Sequence, residues 1–270
     1  MSSVKWRRWR WAVLLLALVP SPARALYFGT NVAQPGQIIE FDAPPSARAR
    51  SEAAQARRPP PRSRGAFVLP RGATNLLRPL PMIIASVPSG GSAIRWMQSI
   101  TNLAWNEGWV VFAADGPSIP AEEDTVEWGW AMLSSALEQF GRTWPQTRQW
   151  PVACAGFSGG AKRSAAVAAG MTHDGWRVIG VFMGGCNEDR ATLGIQLFQP
   201  GQAFLRVPMF LSSGSQDRIA NPAQTTAVRD AMTRSGFTQV RLETYSGAHQ
   251  LDRDQLVDAL RWFRQTAGVR

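Results

Sequence analysis

A serine hydroxyl is a poor nucleophile until a base takes its proton. In the stretch VACAGFSGGAKRSAAVAAG, residues 152–170, Ser158 stands between glycines in a G-x-S-x-G pattern. That pentapeptide recurs by chance, so its setting must decide what it means. Residues 152–155 read as a short buried strand. Gly156 and Gly160 remove side chains that would collide in a tight turn, and 159–170 reads as an Ala-rich helix. A strand, a bend at the serine and a helix leaving at once hold a hydroxyl out of a sheet. Ala165, Ala166, Ala168 and Ala169 would let that helix lie close to the sheet. The serine then sits at a helix N-terminus, where free N–H groups and the dipole favour developing negative charge.

A base and an acid are needed next. The chain has two histidines. His249, in YSGAHQLD, follows the last strand and precedes the last helix. A loop at the carboxyl edge of a parallel sheet is where a base must sit to reach the serine. His173, in GMTHDGW, reads as a solvent-facing turn residue. The acid that fixes the imidazole tautomer is read as Asp217, in FLSSGSQDRIANP, one strand earlier at the same edge. Glu188 and Asp189, in GGCNEDR, are its rivals. Asp115 reads as a turn residue, and Glu122, Glu123, Asp124 and Glu127 as acids at a helix start.

These residues need a frame. Short apolar runs recur at 81–87, 109–115, 151–157, 178–184, 207–213 and 240–245, apolar on both faces as strands between two helical layers must be. Helix-like stretches alternate with them. One stops at Gly108, one runs from a capping Asp124 to Gly141, and one begins at Asn221 with Pro222 in its first turn. GQIIEFDAP and GAFVLP add two earlier strands. The expected fold class is α/β, a mostly parallel central sheet with helices on both faces, in one domain over 26–270. Residues 46–64, rich in Pro, Arg and Ala, read as a flexible insertion.

The order Ser158, Asp217, His249 is the one α/β-hydrolases show. On GFSGG, GSQDRIANP and SGAHQ, each after a strand, the chain resembles the α/β-hydrolase superfamily, near its dienelactone-hydrolase-like and secreted esterase branches, over roughly 36–266. The resemblance implies hydrolysis of a small-molecule carboxylic ester through an acyl-enzyme, with no metal and no organic cofactor. A serine peptidase or polyester depolymerase of the same fold, and a non-catalytic binding protein, are the alternatives. In one place the chain departs from the pattern. Where the family has a His-Gly-Gly-like oxyanion loop, this sequence has VPSGGSA, and Pro88 carries no N–H. The oxyanion donors are then expected from Ser89, Gly90 or a neighbour together with the N–H of Gly159, the residue after the serine.

Charge excludes one class of partner. The formal net charge is +10, but the leader holds five basic residues and no acid, and 46–64 holds six arginines and Glu52. The remaining body is neutral, with no basic stripe, so nucleic acid is not expected as a partner. The basic head MSSVKWRRWRW, the apolar run AVLLLALV and the small residues Ala23 and Ala25 read as an export signal, residues 1–25, cleaved after Ala25. A periplasmic or secreted protein without stable membrane insertion is expected, since the run is too short to span a bilayer. Arg10 breaks the apolar position that a twin-arginine signal needs. Cys154 and Cys186 are expected as two separate thiols, too far apart along neighbouring strands to bridge. Trp105, Trp128 and Trp130 are expected in the core, and any cap over the site would be built from 187–206.

Overall fold

A computed structural model describes residues 25–73, 75–76, 78–120 and 122–269. The expected leader, apart from Ala25, lies outside the described residues. The chain opens with a two-stranded hairpin, β1 (Tyr27–Phe28) and β2 (Asn31–Val32). Eight further strands follow: β3 (Ile38–Ala43), β4 (Ser63–Val68), β5 (Met82–Ser86), β6 (Val110–Asp115), β7 (Val152–Phe157), β8 (Val178–Gly184), β9 (Met209–Gly214) and β10 (Val240–Tyr245). They form one sheet in the order β10-β9-β8-β7-β5-β6-β4-β3. Strands β5 to β10 pair in parallel, whereas β4 is antiparallel to both β6 and β3. A mostly parallel sheet is therefore observed, and all six parallel strands end at one edge.

Among the described residues seven α-helices accompany the sheet: α1 (Ala47–Gln55), α2 (Ala93–Asn106), α3 (Val126–Thr143), α4 (Gly159–His173), α5 (Arg190–Phe198), α6 (Pro222–Arg234) and α7 (Arg253–Thr266). Residues of α2 and α7, such as Met97, Ile100, Leu256 and Phe263, pack with Ile83, Val111 and Phe210 on one face. Residues of α3 to α6, including Leu137, Ala165, Ala191 and Val228, pack with Ile84, Phe112, Val181 and Leu211 on the other. Burial on both faces explains why β5 to β9 lack a polar alternation, whereas the edge strand β10 is half-exposed and carries Arg241 and Glu243. Trp128 and Trp130 are buried and Trp105 packs against the α2–α7 core, as expected.

Two expectations are corrected. Residues 46–64 are not a flexible insertion: Ser46 caps α1, accepting from the Ala49 N–H at 3.0 Å, and Ala49 and Ala53 bury against Trp128, Ala131 and Met132 of α3. The Ala-rich segment favours helix, and small side chains at i and i+4 allow close packing. The 187–206 segment, where any cap over the site would stand, runs along the body of the fold. Its helix α5 lies against α4, where a Cβ on Gly194 would come within 2.8 Å of the Ala169 Cβ. The other correction is at α3, which is capped by Thr125, not Asp124, and runs past Gly141 to Thr143. Both cysteines are free and buried. Burial pushes the Cys154 thiol far up and the Cys186 thiol up to about 11.

Candidate active site

Ser158 joins β7 to α4 with φ 56° and ψ −123°. A non-glycine residue held there is strained, by about 1–3 kcal/mol, and persists only where its surroundings force it. The surroundings are three glycines. A Cβ on Gly156 would lie 2.2 Å from the Gly160 carbonyl, one on Gly160 2.4 Å from the Ser86 carbonyl oxygen, and one on Gly159 2.6 Å from the Pro88 Cβ. Strand, helix and the neighbouring loop thus approach at van der Waals distance only because side chains are missing. The Ser158 N–H donates to the Gly184 carbonyl at 2.7 Å, which ties the bend to the end of β8.

The histidine and the acid meet at the same edge. Asp217, in the loop after β9, accepts from His249 Nδ1 through Oδ2 at 2.7 Å. Its Oδ1 accepts from the Ile219 and Ala220 N–H groups, both at 2.8 Å. The Asp217 side chain is fully buried, so an ionised carboxylate here is supported by three donors. Burial pushes its pKa up, but the Ala220 N–H, His249 and the Ile219 N–H together outweigh that and hold it below the ordinary value. An acceptor-only carboxylate requires the proton on Nδ1, which leaves Nε2 as the basic nitrogen.

The His249 ring packs on Phe157, with centroids 4.7 Å apart, and over Gly185, where a Cβ would come within 2.9 Å of Cε1. Phe157 precedes Ser158 and Gly185 follows its hydrogen-bond partner Gly184, so the imidazole lies beside the strained bend. The loop carrying His249 is itself fixed. The Tyr245 hydroxyl donates to the carbonyls of Ala248, at 2.9 Å, and Gln250. The Gln216 N–H donates to the Gly247 carbonyl at 2.8 Å, joining the acid and histidine loops.

The rival residues are engaged elsewhere. Glu188 pairs with Lys162 and Arg190, and Asp189 caps α5 through the Ala191 and Thr192 N–H groups. Asp115 accepts from the Ser92 hydroxyl and the Ala93 N–H, fixing the start of α2. His173 is exposed at the end of α4. Glu123 pairs with Arg58, and Glu127 lies in the first turn of α3.

The expected oxyanion loop is arranged differently from the reading above. Gly159 is the first residue of α4, with Pro88 packed on it. The Gly90 N–H, however, donates to Asp124 Oδ2 at 3.2 Å, so it is already committed. The Ser89 hydroxyl donates to the Asp124 carbonyl at 3.2 Å and accepts from Arg163 at 3.0 Å. Asp124 and Arg163 are the residues that sequence reasoning missed, since nothing in their spacing shows that they meet. A cavity of about 540 Å³ opens beside this loop, lined by Ser86, Val87, Asp115, Asp124 and Arg163 among others, and Ser158 and His249 lie outside its lining. Among the described residues no cluster of His, Cys, Asp and Glu could hold a metal ion.

No family model and no curated protein matches this sequence. Solved structures do match in shape. A serine hydrolase without lid from Xanthomonas campestris is 16% identical, covering 87% of this chain and 97% of its own, with a TM-score of 0.55. Zea mays acyl-protein thioesterase 2 is 14% identical, covering 75% of this chain and 98% of its own, at 0.52. A Pyrococcus furiosus esterase is 10% identical, covering 85% and 90%, at 0.55. Sheet order, the bend at Ser158 and these likenesses agree: the chain has the α/β-hydrolase fold.

Proposed function

We propose that this protein is a serine hydrolase that cleaves carboxylic esters. Ser158 Oγ attacks the ester carbonyl as its proton passes to His249 Nε2, and Asp217 stabilises the imidazolium. The proton then goes to the departing alcohol. Water attacks the acyl-enzyme by the same path in reverse, releasing the acid and restoring Ser158. The Gly159 N–H and the loop after β5 bind the tetrahedral oxyanion.

The observation that carries this reading is the backbone of Ser158, a non-glycine residue at φ 56° between a strand and a helix. A purely structural turn would place glycine there without strain. The three structural neighbours named above, a serine hydrolase, a thioesterase and an esterase, support the same chemistry. The basic head, apolar run and Ala-x-Ala close of residues 1–25 support export to the periplasm or beyond.

The test is turnover of p-nitrophenyl acetate and butyrate by the purified protein, beside labelling with a fluorophosphonate. Ser158→Ala should lose turnover by roughly 10³-fold or more and lose labelling altogether. Undiminished turnover in that variant overturns the assignment. Peptide and polyester substrates in the same panel decide whether the acyl group is carried on an alcohol, an amine or a polymer.

A further inference from the structure

We propose that Arg163 and Asp124 form a clamp that positions the 87–92 loop against Gly159 and so sets the oxyanion geometry; this rests on the ester-hydrolase reading. Arg163 lies on α4, five residues after Ser158. Its Nη1 donates to Asp124 Oδ1 at 2.9 Å, and its Nη2 donates to the Asp124 carbonyl at 2.9 Å and to the Ser89 hydroxyl at 3.0 Å. Asp124 Oδ2 holds the Gly90 N–H, and the Asp124 carbonyl also accepts from the Ser89 hydroxyl. Three chain segments converge on one ion pair: the helix of the nucleophile, the loop before α3, and the loop after β5.

Surface ion pairs commonly contribute little. This pair differs in burial and in valence. Both side chains are 15% exposed, and the guanidinium uses two nitrogens on three acceptors, a fork that only arginine supplies. The fold also makes space for it: a Cβ on Gly129 of α3 would lie 2.9 Å from Arg163 Nη1. The loop it holds is otherwise a glycine-rich turn, closed by a Gly91 N–H to Pro88 carbonyl bond, with Gly90 at φ 75°.

The clamp bears on catalysis through what it leaves available. Pro88, packed on Gly159, has no N–H, and the Gly90 N–H is spent on Asp124. Of the two loop residues read from the sequence, Ser89 is then the one whose backbone N–H serves the oxyanion beside that of Gly159. Arg163 and Asp124 are positioning residues: they act through the loop and touch no reacting atom.

Arg163→Met keeps the aliphatic stem and removes the fork. Its kcat for p-nitrophenyl acetate should fall about 10- to 100-fold with KM within about twofold, since misplacing a donor by an ångström costs on that order. Affinity for an aryl trifluoromethyl ketone, whose hemiketal mimics the tetrahedral state, should weaken by the same factor. Arg163→Lys should fall between, and ethylguanidinium added to Arg163→Ala should restore part of kcat. Amide hydrogen exchange should quicken over 87–92 while α4 keeps its protection. A kcat within twofold of wild type, or unchanged exchange in that loop, overturns the clamp. Loss of α4 protection in parallel with kcat overturns it too, because the role is then merely structural. If wild type itself shows no Ser158-dependent turnover or labelling, the hydrolase reading fails first and the catalytic role of the clamp falls with it.

Discussion

Asp217 and His249 are joined by a 2.7 Å hydrogen bond, and the opposite carboxylate oxygen is saturated by two backbone N–H groups. The acid is therefore oriented by the loop that carries it, not by the histidine. Asp217→Asn can keep the shape but not the charge, and it no longer dictates which ring nitrogen carries the proton. Its kcat should fall by about 10³–10⁴-fold. The pH dependence has a defined sign. A carboxyl held below its ordinary value contributes stability above about pH 4 and loses it as pH falls through the depressed value. Wild type should thus exceed Asp217→Asn in stability at neutral pH, and the gap should close in acid. Urea unfolding of both proteins from pH 7 to pH 3 checks this; a gap that widens in acid contradicts the assigned ionisation.

Gly185 is a second point where the site is set by an absent side chain. It has φ 57°, and a Cβ would approach His249 Cε1 to 2.9 Å and Phe157 to 3.0 Å. Gly185→Ala should lower kcat at least about tenfold by displacing the imidazole, and cost about 1–2 kcal/mol from the left-handed backbone. Gly201→Ala is the control. It has φ 77° with nothing within 4 Å of its Cβ, so it should show the backbone cost and full turnover. Equal kcat in the two variants would mean that the ring does not depend on this space.

Much of this was legible in the sequence, for physical reasons. The strands from β5 to β9 are buried on both faces, so each reads as a short apolar run, and the bounds read for β8 and for the half-exposed edge strand β10 match to the residue. Gly156 and Gly160 around Ser158 are needed for steric reasons that a sequence displays directly. Asp217 is favoured over Glu188 and Asp189 in the sequence by following the strand next to that of His249. What stayed hidden depends on tertiary contact. Asp124 reads as a helix cap beside Thr125, and only folding brings Arg163 to it across 39 residues. Gly90 reads as an oxyanion donor until Asp124 is seen to hold its N–H. The hairpin β1–β2 is too short to carry a pattern, and its Phe28 is held by Phe67 and Trp144.

Helix α1 is hidden in the sequence because arginine and proline dominate residues 46–64 as a whole, although the prolines are confined to 59–61. The helix that Ser46 starts ends before them, at Gln55, where Arg57 turns left-handed at φ 52° and the Arg58 N–H returns to the Ala53 carbonyl at 2.9 Å. Ser46 also anchors it to α3. Its N–H donates to Ser135 Oγ at 3.0 Å, and its hydroxyl lies 3.0 Å from Ser134 Oγ and accepts from Ser135 Oγ at 3.2 Å, all buried. Ser46→Ala removes a cap and leaves two buried hydroxyls short of a partner, a cost of about 2 kcal/mol. A flexible insertion would show no such cost. Chemical denaturation should register the loss while p-nitrophenyl acetate turnover of the folded protein stays at the wild-type level. Pairing it with Ser135→Ala should give less than the sum of the single losses, because the two hydroxyls share one network. Additive losses would mean that Ser46 acts as a cap alone, with α1 held to α3 by Ala49, Ala53 and the Arg58 guanidinium stacked on Trp128.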